Sequence, residues 1–236
     1  LKVVALKVVA LKVVALKVVA PKVVLPVATT VAAVVATEAV ENVIVIAPDP
    51  KSREASVAVA VVMIDHVAPA ASVATADAQV KVRKWVREQG IHQFFDAGAG
   101  VCHQIMIEQG LVSPGEVAFG TDSHSTAYGA VGAFGTGVGS RDMALTLATG
   151  QNWLRVPETI RIQVEGRFRR GVGPKDLSLY LCGLLGLDGA TYQAVEFHGV
   201  DWLDLDGRET LCSMSTELGA KAGLVPPTGP AVAHLS

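Results

Sequence analysis

Glu116-Val-Ala-Phe-Gly-Thr-Asp-Ser-His124 is a short apolar run that opens onto a glycine and then an acid, a hydroxyl and an imidazole. Glu116 to Phe119 reads as a strand, with the polar stretch leaving its carboxyl end. The same grammar recurs on both sides. Val43 to Ala47 reads as a strand followed by a turn over Pro48 to Ser52, and the Val-rich run Val57 to Ile64 as a strand ending at Asp65-His66. Ser72 to Gln89 predicts a helix closed by Gly90. Val73, Ala76 and Val80 trace one apolar stripe along it, and Ala78, Val82, Trp85 and Val86 another. Ile91 to Phe95 reads as the next strand and Val101 to Gln109 as a helix stopped by Gly110.

Further on, a helix is expected from Ser140, a good N-cap, to Gly150. Ile160, Ile162 and Val164 alternate with polar residues over Thr159 to Glu165, the mark of a half-buried strand. Pro174 to Leu185 predicts a helix, Ala194 to Phe197 a strand, and Gly207 to Ala222 a helix capped by Asp206 and ended by Gly223. Alternating strands and helices give the α/β class, as α/β/α layers with a mostly parallel sheet.

With 236 residues the chain can bury a full core. Its net charge of -2 and pI near 6.3 exclude a broad basic field for nucleic acid or acidic membranes, so small anions must be met by local groups. Cys102, Cys182 and Cys212 are odd in number and widely spaced, which fits a reduced, cytoplasmic compartment. Although half the residues are hydrophobic, Lys or Pro interrupts the long apolar runs before Val27, and Val27 to Thr37 is shorter than the roughly 20 residues of a spanning helix. A soluble chain is expected.

The N-terminus repeats Leu-Lys-Val-Val-Ala four times and decays into Pro21-Lys-Val-Val-Leu25. Five residues rotate a helix about 140° past its start, so the lysines spread around it, and in a strand they alternate faces. Residues 1–40 are therefore read as a low-complexity arm, nonnative or artefactual in preference to a basic targeting leader. Residues 41–230 form the α/β region, with a division expected near 155–170, and 231–236 a tail.

Four places bring an imidazole near a carboxylate: Asp65-His66, His103, Asp122-Ser123-His124, and Glu196 followed by His198. Each alone is unremarkable, but Asp65-His66 and Asp122 to His124 follow predicted strands directly. In open α/β sheets ligands bind beyond the carboxyl ends of strands. The glycine-rich stretch Gly129 to Gly139 lacks the third glycine of a dinucleotide fingerprint and the Gly-Lys-Ser/Thr of a phosphate loop, so it reads as close backbone packing.

Val101-Cys-His-Gln104, Gly115 to His124, Tyr128 to Gly139, Asp142-Met143, Ala148-Thr-Gly150, Trp153, Val156-Pro-Glu158, Lys175-Asp176, Asp188-Gly-Ala-Thr-Tyr192, Glu196-Phe197 and Gly219-Ala-Lys-Ala-Gly223 occur in one ordered series. Together with Ile64-Asp-His-Val-Ala-Pro69, the series resembles the aconitase superfamily over about Asp65 to Pro227, and within it the large subunits of 3-isopropylmalate dehydratase and homoaconitase.

The resemblance implies aconitase-like N-terminal domains and a hydro-lyase that moves a hydroxyl between adjacent carbons of a small di- or tricarboxylic acid. It implies a small-subunit partner that supplies the catalytic base, and a four-iron, four-sulfur cluster on three thiolates. By the same resemblance Asp65 and His66 protonate the departing hydroxyl, His103 pairs with Asp122, His124 pairs with Glu196, and Ser123 contacts a substrate carboxylate. The family's cluster cysteines lie beyond the point matched by Pro227, so no metal ligand is expected in this chain, which reads as an incomplete large subunit, inactive alone. A mononuclear zinc or iron hydrolase using His103, Asp122 and His124, and a degenerate non-enzymatic domain, are the competing readings.

Overall fold

A computed structural model describes residues 2–9, 42–47, 59–149, 152–229 and Ala233, with only the Ile44 and Val45 side chains in the first two stretches. The turn read at Pro48 to Ser52 lies outside them. The strands are β1 (Lys2–Val9), β2 (Asn42–Ala47), β3 (Val59–Met63), β4 (Gln93–Phe95), β5 (Val117–Gly120), β6 (Phe134–Gly137), β7 (Thr159–Glu165), β8 (Ala194–His198) and β9 (Ala222–Leu224). The α-helices are α1 (Val73–Gln89), α2 (Cys102–Glu108), α3 (Ser140–Thr149), α4 (Pro174–Leu185) and α5 (Leu205–Ser213), with 3-10 segments at Ser123–Val131 and Met214–Leu218.

The α/β class holds, with the strands divided between two mixed sheets. The first has the order β4-β3-β2-β5-β6. Because β2 runs antiparallel to both β3 and β5, while β4 and β6 are parallel to their neighbours, β3 to β6 share one direction. Met63 pairs with Asn42 and Gly120 with Ile44, so the carboxyl ends of β3 and β5 emerge at the same end of the sheet, on either side of β2. This fixes the mouth at which both Asp-His motifs arrive.

Alternation in the strands builds the layers. Val62 and Ile64 pack with Trp85 and Val86 of α1 and Met143 and Leu147 of α3 on one face of the sheet. Val61 and Met63 turn to the other, meeting Met106 and Ile107 of α2 and Tyr128 of the first 3-10 segment. That second cluster continues through Ile160, Ile162 and Phe197 into the other sheet. Each such buried side chain contributes about 1.5–3 kcal/mol.

The second sheet has the order β1-β7-β8-β9, with β7, β8 and β9 parallel and β1 antiparallel to β7. Within the repeat arm, Lys2–Val9 thus stands as an edge strand.

In α1 the Ser72 hydroxyl accepts from Thr75 N at 3.2 Å, and Gly90 closes the helix in the left-handed region at φ 63°. Only the Ala78, Val82, Trp85 and Val86 stripe is buried. Val73 and Val80 face solvent, because α1 has one neighbouring surface. The C-terminal helix differs more from its expected span. It is capped by Asp204, whose Oδ1 accepts from Gly207 N at 2.9 Å, rather than by Asp206. It tightens to 3-10 geometry after Ser213 and ends at Gly219, φ 77°. Gly223 does not end a helix but lies within β9, paired with Val195, where a Cβ would stand 2.6 Å from Cys212 O.

Candidate active site

The site is built on the exit from β5. Asp122 stands just before the 3-10 segment, where its Oδ1 accepts from His124 N at 2.7 Å and its carbonyl accepts from the Ser125 hydroxyl at 2.8 Å. Its carboxylate is therefore held in place by its own chain. Gly120 and Gly135 let the 3-10 segment lie directly on β5 and β6: a Cβ on either would stand 2.0 Å from Ser125 Oγ or Ser125 O, respectively. Gly129 likewise faces the Gly223 carbonyl, 1.6 Å from where its Cβ would be. The glycine-rich stretch thus serves close packing, and Phe134–Gly137 within it forms β6.

Three imidazoles gather at Asp122. His103 Nε2 donates to Asp122 Oδ1 at 2.8 Å, and the buried Tyr128 hydroxyl donates to His103 Nδ1 at 3.3 Å. His66 Nε2 lies 3.4 Å from Asp122 Oδ2, and His124 Nδ1 lies 3.7 Å from Oδ1. The hydrogen bond from His103 holds the Asp122 carboxyl down at about 2, against the opposing effect of burial.

Asp65 organises the first imidazole. Its side chain is 2% exposed, its Oδ2 accepts from Cys102 N at 2.7 Å, and its Oδ1 accepts from His66 Nδ1 at 2.9 Å. That hydrogen bond raises the His66 pKa above 6.5, with burial opposing and the Asp65 and Asp122 charges assisting. The charged ring is thereby favoured over the neutral one, and its Nε2 faces the Asp122 carboxylate.

His124 takes a different acid from the one expected. Its Nε2 donates to Glu217 Oε1 at 3.3 Å, while Ser123 Oγ lies 3.3 Å from Nδ1. Glu196 instead accepts from His198 Nε2 at 3.2 Å. The physical reason is the strand: residues 196 and 198 are two apart in β8 and project to one face. Sequence reading missed Glu217 because it stands 93 residues from its partner, inside a span read as uniform helix. Tyr128 was visible only as part of a motif. The structure therefore joins Asp65, His66, His103, Asp122, Ser123 and His124, adds Tyr128 and Glu217, and leaves Glu196 paired elsewhere.

The thiols do not suit an iron-sulfur cluster. Burial pushes the buried Cys102 and Cys212 thiols far up, with Asp65 assisting at Cys102, so both disfavour the thiolate a metal needs. Cys182, on α4, is also raised by burial. Among the described residues no group of three or more His, Cys, Asp or Glu side chains is placed to hold a metal ion. For a hydrolase metal on His103, Asp122 and His124 the geometry is equally unsuitable, since His103 Nε2 is spent on the carboxylate itself. Among the same residues no helix is long and apolar enough to cross a membrane.

Residues 3–236 match the aconitase family (aconitate hydratase). The chain is 56% identical over 173 residues to the 3-isopropylmalate dehydratase large subunit of Herpetosiphon aurantiacus, covering 73% of this chain and 41% of that one. It is 53% identical over 171 residues to the homoaconitase large subunit of Thermus thermophilus, covering 71% and 41%. The probable methanogen homoaconitase large subunit of Methanosarcina mazei is 52% identical over 169 residues, covering 71% and 43%. The chain spans about two fifths of the length of these curated relatives. With the family match running over nearly all of its length, this chain belongs to the aconitase family.

Proposed function

We propose that the chain is the proton-transfer portion of a hydro-lyase large subunit that interconverts 2-isopropylmalate and 3-isopropylmalate in leucine biosynthesis. The observation that carries this reading is the single carboxylate of Asp122 with His66, His103 and His124 around it. Moving a hydroxyl between adjacent carbons needs water to leave one carbon and return to the next. Hydroxide is a poor leaving group, so a proton must reach its oxygen as the C–O bond breaks. His66 is suited to deliver it from Nε2, because Asp65 holds Nδ1 and favours the charged ring. His103 and His124, each tied to a carboxylate, are suited to orient and relay the released water.

A small subunit would supply the base that removes the carbon-bound proton. A four-iron, four-sulfur cluster, which family membership suggests, finds no thiolate set among the described residues, so the steps assigned to this chain are proton transfers alone. The homoaconitase relatives, at 52% and 53% identity, support a second reading with a longer tricarboxylic substrate. The test is turnover by a full-length large subunit carrying this segment, assembled with its small subunit. Dehydration of 2-isopropylmalate that falls at least a hundredfold in Asp122→Asn supports the assignment, whereas full activity in that variant removes it. The 236-residue chain alone is expected to show no turnover.

A further inference from the structure

Tyr128 is fully buried beside His103, and the chain is shaped to hold it there. Its ring packs in the cluster that contains Met63 of β3 and Met106 and Ile107 of α2. Gly135 in β6 makes room for it, since a Cβ there would stand 3.0 Å from Tyr128 Cδ2. A phenylalanine would fill nearly the same volume, so the hydroxyl is the part that packing does not explain. Burying such a group costs free energy unless it finds a partner. The partner at hydrogen-bond distance is His103 Nδ1, 3.3 Å away, with the two ring centres 5.7 Å apart. The hydroxyl of Ser125, also beside the phenol, gives its proton to the Asp122 carbonyl at 2.8 Å.

Each end of the His103 ring thus meets a group of fixed role. Burial pushes the Tyr128 phenol far up, so it remains a donor, whereas the Asp122 carboxyl, held down at about 2, remains an acceptor. Between a donor at Nδ1 and an acceptor 2.8 Å from Nε2, the uncharged ring has one satisfied tautomer, with its proton on Nε2. The consequence reaches past His103. Asp122 Oδ1 accepts from His103 Nε2 and from His124 N, and Oδ2 is the oxygen that faces His66 Nε2 at 3.4 Å. Asp65 takes the other nitrogen of His66 at 2.9 Å and Cys102 N at 2.7 Å, which brings the series of bonds back to the residue before His103. A proton on Nδ1 in place of Nε2 would set two donors face to face at Tyr128 and two acceptors face to face at Asp122.

We infer that Tyr128 is a positioning residue that acts through His103: its hydroxyl keeps the ring proton on Nε2 and so sets the direction of the hydrogen bonds that run through Asp122 to His66. The inference rests on the hydro-lyase reading for its catalytic part and adds to it the group that orients the second imidazole. Tyr128 itself lies too deep to touch a substrate, so its effect falls on the rate and not on substrate affinity.

Ring-nitrogen NMR of the 236-residue chain in mildly alkaline solution reads the tautomer without any substitution. His103 Nε2 is expected to carry the proton, and Nδ1 to resonate as an unprotonated nitrogen that accepts a hydrogen bond. In Tyr128→Phe the Nδ1 resonance should move to that of an unbonded ring nitrogen, with the unfolding temperature as the control for folding. A proton on Nδ1 in the unaltered chain, or an Nδ1 resonance left in place by Tyr128→Phe, overturns the assignment. In the full-length large subunit assembled with its small subunit, Tyr128→Phe should lower kcat about tenfold and leave KM for 2-isopropylmalate within about twofold. In a His103→Gln background the same change should cost less than about twofold, because a group that acts through the imidazole then has nothing to act on. An equal loss in both backgrounds, or a raised KM with kcat unchanged, overturns the positioning role while leaving the reaction standing. If the unaltered assembled enzyme shows no turnover and Nδ1 still responds as stated, the hydro-lyase reading falls and the hold of Tyr128 on His103 stands.

Discussion

Asp122 Oδ1 accepts the Nε2 proton of His103 across 2.8 Å, joining the exit of β5 to the first turn of α2. This bond ties together two chain segments 19 residues apart, and the depressed carboxyl is its thermodynamic signature. Since the folded pKa is about 2 against 3.8 when free, the stabilisation is fully present above about pH 4 and is lost as pH falls through 2. Asp122→Asn should therefore lower stability by on the order of 1–2 kcal/mol at neutral pH and flatten acid unfolding between pH 4 and 2. Denaturant melts across that range are the check.

The His66 interaction has the opposite sign. Its folded pKa is raised, so the contribution is complete below pH 6.5 and disappears as pH climbs through the folded value. Asp65→Asn should bring the His66 titration back toward 6.5, followed by NMR at the ring protons. An unmoved titration would show that Asp65 does not govern the imidazole.

The exchange of acids at His124 separates two carboxylates cleanly. In the assembled enzyme Glu217→Gln should lower kcat by on the order of a hundredfold, and Glu196→Gln should change it by less than about threefold. A large loss in the second variant with none in the first would restore the partner expected from sequence.

Gly129 and Arg208 are structural counterparts to these site residues. Gly129→Ala places a Cβ 1.6 Å from Gly223 O and should cost about 3 kcal/mol or more, read as a lower denaturant midpoint. Arg208 is fully buried and donates to the carbonyls of Leu203, Pro226 and Asp201 at 3.0 to 3.1 Å. Arg208→Ala should cost roughly 3 kcal/mol, because three buried carbonyls lose their donors together.

Periodicity made the regular elements legible. Thr159–Glu165 and Pro174–Leu185 match their expected limits, since alternation in one and an N-terminal proline in the other are local signals. The first 3-10 segment and β6 were not legible, because their glycines answer to distant backbone and not to neighbours in sequence. Likewise, Asp65-His66 and Asp122 to His124 could be placed at strand ends by reading alone. The Glu217 partner depends on how Met214–Leu218 packs against the 3-10 segment, and nothing local in sequence marks Arg208 as buried.

The central claim is that one carboxylate serves three imidazoles, and histidine-selective nitrogen NMR of the chain tests it most directly. With Asp122 replaced by Asn, the ring-nitrogen chemical shifts of His66, His103 and His124 are all predicted to move together, while those of His92 and His198 stay where they are. If only His103 responds, or none of the three does, the shared carboxylate is contradicted.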